Sequence, residues 1–393
     1  MGEEEKDGGE SIPTSPGGIS PSASPVTPLP QSKESAKVVS FFDNLVRSKK
    51  REEISDQDRQ QAFETFDSDQ DGLLSVPEFV QMCRSLFRSA EGEFYLLDAK
   101  EVTGIFALFD ENKDGYVDTE EYGFCWNKWI VPVCYPRSAF LVIDVQNDFI
   151  TGTLAIINCP AKHKGEDVVP VVNKLLATVP WNHVVYSLDW HPADHVSFID
   201  NVHMRDLHPS CKVTAKDAVV YDTVVFAGPP PMEQKLWPRH CVQKSWGSEI
   251  HEGVNIVEGA TFIHKGTNPE IDSYSAFWDN NKLSETDLNQ KLLERGITDV
   301  YCSGIAYDVC VGATAKHAVE HMYRTVLVDD ACRGILDEDI KGTQKYIRDR
   351  NGLVVHSSKV LDMVLGFDRN PVLGYAAASK LRSLKSRSSA AVK

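Results

Sequence analysis

No apolar run in this chain approaches the ~20 residues a helix needs to cross a bilayer, so no membrane-spanning segment is expected. The opening MGEEEKDGGE is acidic and lacks the apolar stretch of a secretory leader. Residue 6 is Lys where a myristoylation signal takes Ser or Thr. Also missing is any C-x-x-C pair: the nine cysteines (83, 125, 134, 159, 211, 241, 302, 310, 332) are scattered and odd in number. That excludes a disulfide framework and a zinc ribbon, and makes cytosol or nucleus the expected home. Positive charge is short as well. Lys and Arg total 41 against 57 Asp and Glu, a formal charge of −16, so nucleic acid is not an expected partner. Residues 1–36 lack large apolar side chains almost entirely and are rich in Ser, Pro, Gly and Glu, which predicts disorder.

What is present divides into two textures. With 393 residues, more than one core is expected. Within 37–131 apolar clusters recur at helical spacing (Phe41-Phe42-Leu45, Ala62-Phe63-Phe66, Phe79-Met82-Leu86, Ile105-Phe106-Phe109), predicting an all-α domain. Pro132 and Pro136 mark a linker. Within 137–370 short β-rich runs (139–145, 183–189, 261–265, 300–306, 324–330) alternate with helical stretches (165–178, 285–295, 310–321, 338–349). That alternation predicts a three-layer α/β/α fold around a mainly parallel sheet. The segment 371–393 has five Lys/Arg and no acid, and reads as a flexible basic tail.

The α domain holds two twelve-residue loops with the EF-hand ligand pattern. In the first, Asp67, Asp69, Asp71, Ser75 and Glu78 supply side-chain oxygens and Leu73 a carbonyl. In the second, Asp110, Asn112, Asp114, Asp118 and Glu121 do so with the Tyr116 carbonyl. Gly72 and Gly115 take the sharp turn. An acidic turn can mimic one such set by chance, but two intact sets in tandem argue for calcium.

In a parallel α/β sheet, ligands bind beyond the carboxyl ends of the strands. Here those ends carry Asp144, Asp189 and Lys265, and the run 300–306 leads to Cys310 at a helix start. A helix N-terminus favours a thiolate there, a thiolate attacks amide carbon, and Asp144 is the candidate base. Alone, each has a plainer reading: a buried Cys, a capping Asp, a surface Lys. Asp189 and His191, at i and i+2 of an extended chain, face the same side and can share an ion with His240. His195 is a fourth ligand or a hydrogen-bonding neighbour. An Asp/His/His set suits zinc, iron and manganese.

The stretches LVIDVQNDFITGTLAI, SLDWHPADHVSF, LWPRHCVQKSWGSEIH, HKGTNPEIDSYSAF and GIAYDVCVGATA, spread over 138–365, resemble the isochorismatase-like cysteine hydrolases, and within them the nicotinamidases. The resemblance implies Cys310 as nucleophile, Asp144 as base and Lys265 as third catalytic residue. Asp189, His191 and His240 would hold a zinc-like ion that binds the substrate's pyridine nitrogen. A cis bond between Ile305 and Ala306 would turn the amides of Ala306 and Cys310 into an oxyanion hole, and Phe149, Trp237 and Tyr274 would wall the pyridine pocket. The implied activity is hydrolysis of nicotinamide in NAD salvage, and the fusion to EF-hands resembles invertebrate-type members. One departure is Lys244-Ser245, where relatives often have Gly-Thr. Two other readings stay open: an amidohydrolase for another small amide, and a calcium-binding module on a non-catalytic platform. Oligomeric state is not legible.

Overall fold

The computed structural model describes residues 41–391, with side chains described to residue 387. The segment 1–36 expected to be disordered, and the first residues of the α domain, lie outside the described residues.

The α region contains α1 (Phe41–Ser48), α2 (Asp56–Phe66), α3 (Val76–Leu86), α4 (Ala99–Phe109) and α5 (Thr119–Cys125). Their starts are written in the acidic loops. Ser75 and Asp118, at loop position nine, are also the N-caps of α3 and α5. Glu78 and Glu121, at position twelve, reach back to those caps to close capping boxes. Phe42, Phe63, Phe79, Phe87, Ile105 and Trp129 form the buried centre of this unit. The linker expected at Pro132–Pro136 is helical as far as Cys134 and leaves the helix at Tyr135. A π turn (Trp126–Ile130) carries α5 into a last turn at Val131–Cys134, which contains Pro132.

Six strands build one wholly parallel sheet: β1 (Ser138–Ile143), β2 (His183–Asp189), β5 (Thr261–Lys265), β6 (Asp299–Ile305), β7 (Arg324–Arg333) and β8 (Leu353–Val355), in the order β5-β2-β1-β6-β7-β8. Helices α6 (Val168–Thr178), α7 (Leu288–Glu294), α8 (Gly312–Glu320) and α9 (Asp337–Arg348) pack around it. Every residue of β1, β2 and β6 is buried, as a sheet covered on both faces requires. A side hairpin, β3 (Thr223–Phe226) with β4 (Met232–Lys235), encloses its own small core of Val196, Val202, Val224, Phe226 and Leu236. The chain winds from β1 outward through β2 to β5, then returns to β6 and winds the other way. The reversal point lies between β1 and β6, where open α/β sheets bind ligands.

The C-terminal segment is not a flexible tail. It forms α11 (Pro371–Ala391), which follows the short α10 (Val360–Val364) and docks on the α region. Its basic residues had concealed an apolar face: Leu373, Tyr375 and Ala378 are buried. Among the described residues no helix is long and apolar enough to cross a membrane.

Candidate functional site

At the reversal point, β1 ends in Asp144, which adopts a left-handed φ of 50° and is fully buried. The strands approach too closely here for any side chain at Gly304, whose Cβ would lie 2.0 Å from the Ile143 carbonyl oxygen. Just beyond it Ala306 turns the chain with φ 60° and ψ 62° into a π turn (Tyr307–Val311) that carries Cys310. The Ile305–Ala306 bond is trans, contrary to expectation; among the described residues the cis bond is Pro229–Pro230. The left-handed Ala306 makes the turn instead.

Lys265, from the end of β5, is the buried hub. Its Nζ lies 2.8 Å from Asp144 Oδ2, 2.5 Å from Asp189 Oδ1 and 3.4 Å from Cys310 Sγ, and also donates to the Ser273 carbonyl at 3.1 Å. Burial alone would discharge this lysine, but the Asp144 and Asp189 carboxylates hold it charged well above the ordinary lysine range. Burial, with Asp189 nearby, raises Asp144 in spite of Lys265 and of the 2.7 Å hydrogen bond from Ser187. Cys310 is raised well above the usual thiol range, chiefly by burial; Lys265 pulls it down and the Asp144 and Asp189 carboxylates push it up. That direction opposes the thiolate that a helix start alone favours. Activating the thiol requires a base, and reactive oxygens of Asp144 and Asp189 lie within 4.8 Å of the sulfur.

Asp189 faces both ways. Its Oδ2 lies 3.6 Å from His191 Nε2 and 3.7 Å from His240 Nε2. Each imidazole is anchored through its other nitrogen: Nδ1 of His191 pairs with the Gly266 carbonyl at 2.9 Å and Nδ1 of His240 with the Pro238 carbonyl at 2.7 Å. Fixing Nδ1–H aims both Nε2 lone pairs at one point, the arrangement of metal-binding histidines. The donor set therefore fits a zinc-like ion. Gln146 supports it, accepting from the Asp189 amide and donating to the Asp189 carbonyl, both at 2.8 Å. His195 stacks on His191 at 4.1 Å, and its Nδ1 pairs with Ser197 at 2.7 Å. Its Nε2 is buried and unpartnered, and burial with His191 alongside lowers it to about 3, so it is neutral.

Cys310, Ala306, Asp189 and His240 line a narrow cavity of about 20 Å³. Phe149, Trp237 and Tyr274 all stand in its wall, with Trp237 Nε1 donating to the Tyr274 hydroxyl at 3.3 Å. Leu154, Ile156, Asp272, Val309 and Ile335 complete the lining and were missed by sequence reasoning. Leu154 and Ile156 lie inside a family-like stretch; Ile335 has no local signal. The Lys244-Ser245 departure lies in the loop after the metal-type ligand His240. Lys244 is left-handed at φ 63°, and Ser245 starts the turn Trp246–Ser248.

The two acidic loops also have the expected shape. Gly72 and Gly115 amides donate to Asp67 Oδ2 and Asp110 Oδ2 at 3.0 and 3.2 Å, leaving Oδ1 of each aspartate buried without a partner. An orphaned carboxylate oxygen at position one of both loops fits a cation. Asp67, Asp69 and Asp71 bring ligand oxygens within 4.8 Å of one another. Leu74 and Val117 pair the loops through hydrogen bonds of 2.9 and 3.0 Å. Of the remaining predicted ligands, Asn112 and Asp114 hydrogen-bond within the second loop, the Leu73 and Tyr116 amides donate to Asp71 and Asp114, and Ser75, Glu78, Asp118 and Glu121 close the capping boxes.

The Isochorismatase domain profile matches residues 138–358, and the EF-hand domain pair profile matches 56–122. A nicotinamidase of Escherichia coli (strain K12) is 34% identical over 205 residues, 51% of this chain and 84% of that protein. A nicotinamidase of Saccharomyces cerevisiae is 33% identical over 208 residues, 50% of this chain and 88% of that protein. A solved Acinetobacter baumanii nicotinamidase/pyrazinamidase is 33% identical, covers 57% of this chain and 98% of its own, and superposes with a TM-score of 0.49. The chain belongs to the isochorismatase-domain family and carries an EF-hand pair ahead of that domain.

Proposed function

We propose that this protein hydrolyses nicotinamide to nicotinate and ammonia, a step of NAD salvage, through a thioester on Cys310. The observation that carries the reading is the buried Asp144–Lys265–Cys310 cluster, joined through Asp189 to His191 and His240 on the wall of an aromatic-lined cavity. Relatives named as nicotinamidases support the choice of amide. Cys310 Sγ bonds to the amide carbon while its proton passes to Asp144. Asp144 then gives that proton to the departing amine, and ammonia leaves. Water attacks the thioester as Asp144 takes its proton; the C–S bond breaks, nicotinate forms and the thiol is restored. Lys265 keeps Asp144 and the sulfur in register and offsets the negative charge that appears between them. Asp189, His191 and His240 would hold a zinc, iron or manganese ion, which would supply a Lewis-acid contact for the pyridine nitrogen. Phe149, Trp237 and Tyr274 pack the ring. The test is ammonia release from nicotinamide, before and after chelation and metal restoration. No release by the metal-restored protein would sink the reading.

We further propose that Asp67, Asp69, Asp71, Leu73, Ser75, Glu78, Asp110, Asn112, Asp114, Tyr116, Asp118 and Glu121 bind two calcium ions with a mainly stabilising role. The α region meets the hydrolase at the start of its strands, opposite the cavity: Arg324, at the head of β7, donates to the Pro132 carbonyl at 2.8 Å and pairs with Asp299 at the head of β6. A unit placed there supports the sheet without covering the active site.

A further inference from the structure

Pairs of EF-hands that respond to calcium present an apolar groove, which takes one face of an amphipathic helix. In this chain that surface is already filled. Tyr375 and Ala378 of α11 are buried in the same cluster as Phe79, Phe87, Ile105 and Trp129. The Trp129 indole donates to the Gly374 carbonyl at 2.9 Å, and the Asp98 amide at the start of α4 donates to the Tyr375 hydroxyl at 3.0 Å. Gly374 lies so close to Phe87 that a Cβ there would come within 2.4 Å of the ring.

The far end of α11 reaches the second loop itself. Lys385 Nζ donates to the Leu108 carbonyl at 3.1 Å, in the last turn of the helix entering that loop. It also lies 4.7 Å over the ring of Phe124, in the helix leaving the loop, and 3.7 Å from Glu111, the loop's second residue. One side chain thus touches both helices of a hand, and the angle between those helices is what calcium changes in a responsive EF-hand. In this docked arrangement both loops hold a ligand-ready shape, with position-one oxygens unpartnered.

We propose that α11 is the resident target helix of the EF-hand pair, so that its docking and calcium loading of the second loop are one coupled equilibrium. Both events favour the same arrangement of α4 and α5, so each must tighten the other by the same factor. The pair is then closed to outside helices while α11 is seated. The inference rests on the calcium reading above, and its test separates the two.

Calcium titration calorimetry on the full chain compares the wild type with Ala378→Glu, which puts a charge in the apolar seat, and with Lys385→Ala, which removes the bridge and leaves the core intact. Turnover of nicotinamide, made at the opposite end of the sheet, reports that each variant is folded. The expected result is at least tenfold weaker calcium binding at one site for Ala378→Glu and about threefold for Lys385→Ala. A synthetic peptide of residues 371–391 should bind Ala378→Glu in calcium and restore its affinity, and should not bind the wild type. Wild-type calcium affinity in Lys385→Ala together with peptide binding to the unaltered protein overturns the coupling. No calcium binding by the wild type overturns the calcium reading itself, and this inference with it.

Discussion

The acidic loops and the buried Asp144–Lys265–Cys310 cluster are both carboxylate-rich, yet they are built in opposite ways. Each loop draws its ligands from twelve consecutive residues, and the same residues cap the helix that follows. The cluster draws Asp144, Asp189, Lys265 and Cys310 from four strand ends spread over more than 160 residues. The loops sit near solvent, with Asp69, Asp71, Asp114 and Glu111 exposed, whereas Asp144, Asp189, Lys265 and Cys310 are all buried. A local, exposed site tolerates the loss of one ligand with a graded fall in affinity. A buried cluster of mutually compensating charges does not, because removing one partner strands the others in a low-dielectric interior.

The comparison predicts a steep ladder of effects. Cys310→Ala should lower kcat by more than about a thousandfold with the fold retained, since the nucleophile has no substitute. Comparable turnover by the variant would end the covalent mechanism. Lys265→Met should destabilise the hydrolase core by about 3–5 kcal/mol as well as inactivate it, because Asp144 and Asp189 would face each other unscreened; urea unfolding followed by tryptophan fluorescence reads this out. A stable Lys265→Met protein would show that the cluster is less charged than the geometry implies.

Smaller losses should follow one step away from the sulfur. His240→Ala should lower bound metal and turnover together by about a hundredfold, leaving calcium binding unchanged, as elemental analysis and calorimetry would show. Benzamide, which lacks the pyridine nitrogen, should be turned over at least about tenfold more slowly than nicotinamide. Equal rates would assign the ion a structural place only. Smallest of all, Glu78→Gln with Glu121→Gln should lower the melting temperature in calcium by roughly 2–4 °C and alter turnover less than about twofold. A several-fold change in turnover across a calcium titration, lost in that double variant, would replace stabilisation with regulation.

Legibility in the sequence followed the same division. The loops could be read residue by residue, because spacing within twelve residues is the site. The five longest strands and their intervening helices were visible in the alternation of texture. The short strand β8, the side hairpin and α11 were not. A strand as short as Leu353–Val355 offers too few positions for a period to show. The basic residues of α11 masked Leu373, Tyr375 and Ala378, whose burial depends on the surfaces they meet. Strand ends carrying Asp144, Asp189, Lys265 and Cys310 could be found from sequence, but their convergence could not, since strand order is a tertiary fact. The surroundings of Cys310 were hidden for the same reason: a helix start is local, whereas the burial and the carboxylates that raise the thiol come from distant segments. Ile335 enters the pocket wall from beyond β7 with no local signature at all.

The central claim is that amide cleavage passes through Cys310. The most direct test mixes metal-loaded enzyme with excess nicotinamide, quenches in acid within one turnover, and maps the peptides by mass spectrometry. The account predicts a nicotinoyl group on the peptide containing Cys310, appearing before free nicotinate and absent from Cys310→Ala. Nicotinate released in a single turnover with no acyl adduct, or with the adduct on another residue, would contradict it.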